Sequence, residues 1–507
     1  MRTCILFLLS LLLAACTTGK SVDDGLSFDP SCGTQQTLTM PDGDTVSYTA
    51  YERLYYVTNV EDSAYQYLNI YVPQGADEQT PIFLRTYVGG YMASQAQQPK
   101  ASDASGRALQ EGYVVVIPGT RGRNSRVGDT YTGRAPKAIL DLKAAIRYLR
   151  RFDAQIAGNT ERIITDGTSA GGAMSALMGG TGNHPDYEPL LQAMGAADER
   201  DDVFAAVCFC PITDLDHADM AYEWLYNRTR HLTSNSASGQ SSILAVSGEL
   251  AAQFPAYLES LDLHTPDGTP LRADNYLDYI KSEIIRAAQI AKNAGADIPD
   301  NIGFTFSTES MGDLPPINGG QSGGMRPQGM PQGFNMPMMR AKAGEYILDL
   351  DIPTYLAYVA STQPLKTAPA FDTKGVCGQQ ASGENDEFGD ETGNSVNFTR
   401  YAEQKMLETC DCLPMSDTAW MEIERNVRLM NPMNYIRDKQ TTVAPHWYIR
   451  HGARDRDTSF PIPLNLALML QNEGKDVNLL LAWNRPHSGD YALDELFGWI
   501  RSILATK

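Results

Sequence analysis

This 507-residue chain has few positively charged residues for its length, with 41 Lys and Arg residues against 61 Asp and Glu residues. The resulting net charge of −20 argues against a nucleic-acid-binding protein, because phosphate binding depends on clustered Lys and Arg. With 42% hydrophobic residues, the chain is too apolar to be mainly disordered and too polar to be a polytopic membrane protein. Its length exceeds that of one minimal domain, so several domains or a large insertion are expected.

Cysteine is also sparse, with eight residues in the chain. Two lie in the N-terminal segment, and the others are Cys32, Cys208, Cys210, Cys377, Cys410 and Cys412. No Cys-x-x-Cys pair stands beside a second pair or a histidine at zinc-finger spacing, so the sequence predicts neither a metal site nor a cofactor. Structural disulfides or buried thiols are expected instead, and their pairing stays open.

The only long apolar run at the N-terminus has the pattern of an export signal. Arg2 supplies a positive start, residues 5–15 are mostly apolar, and the run closes on Leu13-Ala14-Ala15-Cys16. This resembles a bacterial lipoprotein signal, with an ordinary secretory signal as the alternative. We expect residues 1–15 to be removed, Cys16 to be lipidated and residues 16–44 to form a tether and N-terminal segment. The expected location is the bacterial cell envelope, with the outer membrane favoured and the membrane face open.

Strand-like and helical patterns alternate along much of the chain. From residue 113 onwards several strand-like runs are almost continuously apolar, which is typical of strands buried on both faces. Between two of them, residues 138–152 carry apolar side chains at helical spacing. The alternation predicts an α/β fold with a mostly parallel central sheet flanked by helices.

The alternation breaks in the middle of the chain. We expect an α/β core made of residues 45–220 and 431–507, with residues 221–430 inserted between late strands as a lid that selects the substrate. Helical patterns occur in this insertion at 242–261 and 275–293. The stretch 311–340 is rich in Gly, Pro, Gln and Met and cannot bury a core, so a flexible loop is expected there.

A nucleophile motif follows a predicted strand that ends at Thr165. Gly167-Thr168-Ser169-Ala170-Gly171 has the form G-x-S-x-G and precedes a helical run of small residues. The glycines tolerate the strained turn that raises the serine hydroxyl above the sheet, and the Ala170 N–H at the helix N-terminus would face an oxyanion. Ser322 stands in a second G-x-S-x-G without a strand before it or a helix after it, so it is interpreted as a chance match.

A serine nucleophile requires a base and an acid that orients the base, and with this motif the chain order is Ser, acid, His. Asp455 follows the strand-like run 446–449, and His487 stands just beyond the next run, where the reactive groups of open α/β sheets collect. Ser169, Asp455 and His487 are therefore the predicted triad. Asp457 is the nearest rival for the acid, although the spacing favours Asp455 and leaves Asp457 to cap the next segment or face the substrate.

A second oxyanion donor is expected from the turn that follows the strand-like run 82–88. Gly89 and Gly90 lie in this turn, and the backbone N–H groups of glycines can approach a ligand closely, as in the HGGG-type turn of esterases. Either glycine fits the role, and a plain tight turn is the alternative.

Three motifs resemble those of the bacterial tannases, which are α/β-hydrolase esterases that cleave galloyl esters. They are GTSAGG around Ser169, HGARDRDTSF from residue 451 and PHSGDY around His487, and the resemblance extends from about residue 65 to the end of the chain. It implies Ser169 as nucleophile, Asp455 as triad acid and His487 as base. Fungal relatives have adjacent Cys-Ser and His-Cys pairs, which this sequence lacks.

The resemblance also implies residues that bind the galloyl ring. Asp457 would bind ring hydroxyls together with a lysine and a glutamate of the insertion, for which Lys366 and Glu384 are the candidates and Glu387 an alternative to Glu384. Phenolic hydroxyls donate to carboxylates, so a substrate without them would leave buried carboxylates unpaired. Solvated loop charge is the competing interpretation of Lys366 and Glu384.

Together these features predict a serine carboxylesterase that hydrolyses a small phenolic ester of the galloyl type through an acyl-enzyme. A feruloyl or other aromatic carboxylesterase is the first alternative. A prolyl-oligopeptidase-like peptidase and a non-catalytic envelope binding protein are the second, although the peptidase class carries a long β domain before its core. The natural ester and the oligomeric state stay open.

Overall fold

The computed structural model describes residues 25–233, 240–307 and 346–506. The expected signal peptide, Cys16, Ser322 and the stretch 311–340 lie outside these ranges. Within them, no helix combines the length and the apolar character needed to cross a membrane.

The described chain contains strands and helices in alternation. The strands are β1 (Thr34–Thr39), β2 (Thr45–Tyr55), β3 (Tyr67–Pro73), β4 (Pro81–Arg85), β5 (Val114–Pro118), β6 (Arg126–Val127), β7 (Thr130–Tyr131), β8 (Asn159–Thr168), β9 (Ala205–Phe209), β10 (Phe304–Phe306), β11 (Ile347–Leu350), β12 (His446–Gly452) and β13 (Asp476–Ala482). The α-helices are α1 (Ala104–Gln110), α2 (Lys137–Arg151), α3 (Ala170–Gly180), α4 (Glu188–Ala193), α5 (Leu215–Thr233), α6 (Gln240–Ser260), α7 (Tyr276–Asn293), α8 (Ile352–Thr362), α9 (Gly383–Glu387), α10 (Arg400–Leu407), α11 (Asp417–Leu429), α12 (Pro461–Asn472) and α13 (Leu493–Ala505). Short 3-10 helices occur at Pro30–Cys32, Pro185–Tyr187, Val376–Gly378 and Pro432–Asn434.

A nine-stranded sheet in the order β1-β2-β3-β5-β4-β8-β9-β12-β13 forms the centre of the fold. Strands β1, β2, β3 and β5 pair antiparallel, and every pair from β5 to β13 is parallel. All residues of β5 and β9 are buried, as their continuous apolar sequences require. The predicted α/β fold with a mostly parallel sheet is confirmed.

Helices cover both faces of this sheet. Adjacent residues of β8, Ile163 and Ile164, belong to separate buried clusters, because successive side chains of a strand point to opposite faces. The larger cluster includes α2, α3 and α12, and the smaller includes α1 and α13. The helical pattern at 138–152 corresponds to α2.

The chain leaves the sheet between β9 and β12, which are neighbours in it. Helices α5 to α11 and the antiparallel pair β10–β11 lie in this part of the sequence. The helical patterns at 242–261 and 275–293 correspond to α6 and α7. Helix α5 begins at Leu215, before the expected start of the lid at residue 221, so the first lid helix continues directly from the core.

The cysteines fall into two groups in the described ranges. Cys410 and Cys412 form a disulfide, whereas Cys32, Cys208, Cys210 and Cys377 are free thiols. Cys208 and Cys210 are fully buried at the end of β9 and just beyond it.

Candidate active site

Ser169 occupies a sharp turn between β8 and α3. Its backbone has φ 62° and ψ −123°, a conformation that is unfavourable for a residue with a Cβ. The Ser169 N–H donates to the Phe209 carbonyl at 2.9 Å, which ties the turn to the neighbouring strand. The turn also requires glycine at its start, because a Cβ on Gly167 would lie 2.2 Å from the Gly171 carbonyl oxygen.

The three residues predicted to form a triad are joined by hydrogen bonds. His487 Nε2 lies 2.8 Å from Ser169 Oγ, and His487 Nδ1 lies 2.7 Å from Asp455 Oδ2. The other carboxylate oxygen, Asp455 Oδ1, accepts from the Asp457 N–H at 2.8 Å, which fixes the rotamer of the carboxylate. With this geometry the imidazole can take the serine proton while the carboxylate holds its tautomer.

The electrostatics of the chain support the same direction of proton transfer. Burial opposes protonation of His487, but the hydrogen bond and charge of Asp455 outweigh it and raise the pKa of the imidazole above its ordinary value. Burial also opposes ionisation of Asp455, but the imidazoles of His451 and His487 hold the pKa of this carboxyl below its ordinary value. Asp455 is therefore ionised, and it lies beside an imidazole whose basicity is increased.

A second imidazole lies behind the acid. His451 is fully buried, and burial lowers the pKa of its ring. His451 Nδ1 is 3.7 Å from Asp455 Oδ2, beyond hydrogen-bond distance, whereas His487 Nδ1 is in contact with the same oxygen. The structure therefore joins Asp455 to His487 and not to His451.

The glycine turn expected to donate to an oxyanion lies against the nucleophile turn. A Cβ on Gly171, in the first turn of α3, would lie 2.8 Å from the Val88 carbonyl oxygen, so the two turns are in direct contact. Gly90 has φ 56°, which suits glycine. Among the described residues, the N–H groups of Gly89 and Gly90 have no hydrogen-bond partner, and the Ala170 N–H at the start of α3 has none within the helix.

Lys366 is held close to the loop that carries the acid. The Lys366 backbone N–H donates to Tyr222 Oη at 3.1 Å, and Tyr222 Oη donates to the Arg456 carbonyl at 2.8 Å. The ammonium group lies 3.9 Å from the centre of the Phe371 ring. The charges of Lys366 and Asp457 both act on the imidazole of His487, in opposite directions, so both lie near the base.

Glu384 lies near the glycine turn, because a Cβ on the preceding Gly383 would lie 3.2 Å from the guanidinium carbon of Arg123, which donates to the Gly90 carbonyl at 2.8 Å. Glu384 belongs to the short helix α9, whose first turn is closed by a capping box between Ser382 and Asn385. The charge of Glu384 acts on the phenol of Tyr91, the residue after Gly90. Of the predicted ring-binding residues, Lys366 and Asp457 therefore act on the base and Glu384 lies near the glycine turn.

Glu387 differs from Glu384 in exposure. It is fully buried, and neither carboxyl oxygen has a hydrogen-bond partner among the described residues. Burial raises the pKa of Glu387 to about 8. Glu384 is partly exposed and so is the better placed of the two to meet a ligand.

Two residues that the sequence did not single out for the site also lie in it. Cys210 Sγ is 3.1 Å from the Ser488 carbonyl, next to His487, and its position just after β9 is the signal that could have found it. Arg123 donates from Nε to the Gly90 carbonyl at 2.8 Å and from Nη1 to Asp386 Oδ2 at 2.9 Å. It links the glycine turn to α9, and nothing in its local sequence predicts this role.

Two groups of side chains in the described ranges have the spacing that a metal ion would need. Cys210, Asp455 and His487 form one, and Asp214, Asp216 and His217 form the other. In the first group, His487 and Asp455 already take part in the hydrogen bonds with Ser169, and Cys210 Sγ donates to the Ser488 carbonyl. In the second group, Asp214 pairs with His217 at 2.8 Å and accepts from Asn431 at 2.7 Å. Both groups are explained by contacts within the chain.

A strained serine above a mostly parallel sheet, bonded to an imidazole that a buried carboxylate orients, is the arrangement that defines the α/β-hydrolases. Comparison with known proteins agrees. The BD-FAE family model matches residues 68–248. No curated protein sequence matches the chain.

Solved structures identify the family. A Fusobacterium nucleatum tannase is 32% identical, with a TM-score of 0.79, and the match covers 95% of this chain and 100% of that one. A tannin acyl hydrolase from Lactobacillus plantarum is 33% identical, with a TM-score of 0.80 and coverage of 96% and 100%. A tannin acyl hydrolase in complex with ethyl gallate is 33% identical, with a TM-score of 0.79 and the same coverage.

The chain therefore belongs to the tannase family and is a hydrolase. The resemblance inferred from the three sequence motifs is confirmed at the level of the family.

Proposed function

We propose that this protein hydrolyses aromatic esters of the galloyl type through a Ser169-Asp455-His487 triad and an acyl-enzyme. The observation that carries the proposal is the continuous pair of hydrogen bonds, 2.8 Å from Ser169 Oγ to His487 Nε2 and 2.7 Å from His487 Nδ1 to Asp455 Oδ2. It lies at the carboxyl edge of a parallel sheet, on a backbone strained in the manner of a nucleophile turn.

Acylation begins when Ser169 Oγ attacks the ester carbonyl carbon and His487 Nε2 takes the hydroxyl proton. The carbonyl oxygen becomes an oxyanion that accepts hydrogen bonds from the Ala170 N–H and from Gly89 or Gly90. The bond to the alcohol then breaks, and His487 returns the proton to the leaving alkoxide. Asp455 stays ionised throughout and stabilises the imidazolium.

Deacylation repeats these steps with water. His487 takes a proton from the water as its oxygen attacks the acyl carbon, and the same N–H groups stabilise the second oxyanion. The bond between Ser169 Oγ and the acyl carbon breaks, and Ser169 recovers its proton from His487. The products are the free aromatic acid and the alcohol.

Recognition of the acyl ring is assigned to Asp457, Lys366 and Glu384. Two carboxylates can accept hydrogen bonds from ring hydroxyls, and a nearby ammonium favours partial phenolate character. The electrostatic action of Lys366 and Asp457 on His487 and the position of Glu384 near the glycine turn support this assignment. A tannin acyl hydrolase that is 34% identical was solved in complex with 3,4-dihydroxybenzoate, which supports a hydroxylated aromatic ring as the ligand class. An acyl group without hydroxyls would leave these carboxylates desolvated and unpaired.

Labelling with a fluorophosphonate probe tests the nucleophile. The wild-type protein should be labelled and should hydrolyse p-nitrophenyl acetate, and Ser169→Ala should lose both. Ser322→Ala is the matched control, because Ser322 stands in the second G-x-S-x-G of the chain and should keep full labelling. An unlabelled wild-type protein, or label retained in Ser169→Ala, would overturn the proposed triad.

A panel of methyl gallate, methyl ferulate and p-nitrophenyl acetate tests the substrate class. We expect kcat/KM for methyl gallate to exceed that for methyl ferulate. Glu384→Gln should lower kcat/KM for methyl gallate by about 10- to 100-fold, the usual loss for one hydrogen bond to a charged group, while hydrolysis of p-nitrophenyl acetate stays unchanged. Equal turnover of gallate and ferulate would remove the galloyl assignment and leave a general aromatic esterase.

A further inference from the structure

The loop that carries His487 contains a charge contact that the mechanism above does not use. The Asp490 carboxylate accepts from Arg85 Nη2 at 2.5 Å through one oxygen and from the Ala104 N–H at 3.3 Å through the other. Arg85 also forms an ion pair with Asp166. The Arg85 side chain is 5% exposed and that of Asp166 is not exposed, so these two members of the network lie in the interior.

Arg85 thereby joins its own strand to two elements that hold reacting groups, the nucleophile strand and the loop of the base. Arg85 is the last residue of β4, which leads into the turn of Gly89 and Gly90. Asp166 lies on β8 just before Ser169, and Asp490 lies just after His487. The network connects the oxyanion turn, the nucleophile strand and the loop of the base.

The loop itself has a conformation that needs support. Asp490 has φ 53° and Ala492 has φ 52°, both in the left-handed region that residues with a Cβ rarely occupy. The loop also packs closely, since a Cβ on Gly489 would lie 1.9 Å from Thr168 Oγ1. A contact that holds this segment down therefore controls how near His487 comes to Ser169.

We propose that Asp490 and Arg85 are positioning residues that set the approach of His487 Nε2 to Ser169 Oγ. The inference rests on the proposed function, because it assigns the pair to the base of that reaction. Neither residue touches the reacting atoms. Asp490 acts by anchoring the loop, and Arg85 acts by holding Asp490 against the ends of two strands.

Exposure decides which residue to change. The Asp490 side chain is 26% exposed, so its removal leaves a solvated gap, whereas removal of Arg85 would leave Asp166 buried without its partner. A matched control exists nearby, because Arg107 Nη1 on α1 pairs with Asp494 Oδ1 on α13 at 2.6 Å and Asp494 is 90% exposed. That pair joins α1 to α13 and does not contact the loop of His487.

Steady-state kinetics with p-nitrophenyl acetate provide the first test. Asp490→Ala should lower kcat by about 10- to 100-fold, the loss expected for a base displaced by roughly 1 Å, with KM within about twofold of the wild type. Asp490→Asn should lose less, because its amide oxygen can still accept from Arg85. Asp494→Ala should keep the wild-type kcat. A purely structural role would lower the melting temperature of Asp490→Ala and leave kcat per folded molecule unchanged.

The ion pair can be tested by a double-mutant cycle. Arg85→Lys keeps a positive charge beside Asp166 but loses the planar fork that reaches two carboxylates. It should lower kcat in the same way, and Arg85→Lys combined with Asp490→Ala should cost little more than Asp490→Ala alone. Additive losses would show that the two residues act separately and would overturn the pair as a unit.

A readout that does not need turnover is the imidazole pKa of His487, followed by NMR of ¹³C-labelled histidine and assigned with His487→Gln. In Asp490→Ala this pKa should fall toward the ordinary value as the contact with Asp455 loosens. If the wild-type enzyme is active and Asp490→Ala has the same kcat and the same imidazole pKa, the positioning role is overturned and the proposed function still stands. Wild-type protein that is not labelled and does not hydrolyse esters would overturn the proposed function and with it the purpose of the anchor.

Discussion

The two halves of this site are positioned in different ways. Ser169, Asp455 and His487 lie just beyond the C-terminal ends of parallel strands, where backbone pairing across the sheet sets their spacing. Lys366 and Glu384 lie on residues 366–387, here named the recognition segment, which contains short helices but no strand. No sheet fixes this segment, so its position must come from side chains.

Buried carboxylates supply that position. Asp219 on α5 accepts the backbone N–H groups of Ala370 and Phe371 through one oxygen, at 2.6 and 2.8 Å, and that of Asp372 through the other, at 2.9 Å. Asp372 in turn accepts five hydrogen bonds, from Asn385, Asn397, the Phe398 N–H, and the N–H and hydroxyl of Thr399. The reaction chemistry thus depends on the sheet, whereas the ring-binding geometry depends on a few carboxylates and can be broken on its own.

The largest effect is expected from a substitution in the triad, which should impair the reaction chemistry and leave the recognition segment intact. Asp455→Asn should lower kcat about 10⁴-fold for methyl gallate and p-nitrophenyl acetate alike, because an amide favours the wrong tautomer of His487. KM for methyl gallate should change little, since the recognition segment is intact. Stopped and continuous assays with both esters measure the two constants.

Asp457→Asn is the matched control for that experiment, because it lies in the same loop and was the rival for the acid. It should impair methyl gallate alone. A loss on p-nitrophenyl acetate as deep as that of Asp455→Asn would mean that the acid had been assigned to the wrong aspartate.

The triad could be predicted from the sequence because each member follows a strand that its own apolar pattern predicts. Residues 163–167 of β8 and nearly all of β12 are buried, and β13, although less buried, carries the apolar run 479–482, so these runs locate the edge of the sheet at which Ser169, Asp455 and the loop of His487 meet. The glycines around Ser169 add a steric signal of their own. Local rules were sufficient here.

The recognition segment could not be predicted in this way. Its anchor Asp219 is separated from Ala370 by 151 positions in the sequence. The contact between Arg85 and Asp490, which holds the loop of His487, is likewise long-range and spans 405 positions. No periodicity connects such pairs, so only the family resemblance indicated Lys366 and Glu384. The pairing of β10 with β11 was also missed, because strands of three and four residues are too short for an alternating pattern to stand out.

A second prediction concerns Glu387, the buried carboxyl at the end of the recognition segment. Its pKa is raised to about 8 in the folded protein, from an ordinary value of 4.5, by burial. Between these values the folded state keeps a proton that the unfolded state releases, so rising pH favours unfolding. The free energy of unfolding should fall by up to about 1.4 kcal/mol per pH unit over this range on account of Glu387.

Glu387→Gln removes that dependence. Urea unfolding of both proteins at pH 5, 6, 7 and 8 should show the variant gaining stability relative to the wild type as pH rises. Among the described residues Glu387 forms no hydrogen bond with Ser169, Asp455 or His487, so kcat for p-nitrophenyl acetate should be unchanged. A stability difference that stays constant across the four pH values would show that Glu387 is ionised or solvated in the folded protein.

The smallest effect is expected from Asp219→Asn, which sharpens the comparison most. The amide oxygen can still accept two N–H groups of the recognition segment, but the amide nitrogen faces the third donor and loses that hydrogen bond, at a cost of about 1–2 kcal/mol. Hydrogen exchange at residues 370–372 should accelerate, and KM for methyl gallate should rise a few-fold. Asp278→Asn, at an exposed aspartate of α7, should change neither the hydrogen exchange nor KM.

Hydrolysis of p-nitrophenyl acetate by Asp219→Asn decides what the result means. An unchanged kcat would show that the two halves of the site are independent. A lowered kcat would show that they are coupled, and the contact from Lys366 through Tyr222 to the Arg456 carbonyl is the path that could carry the coupling to the loop of Asp455.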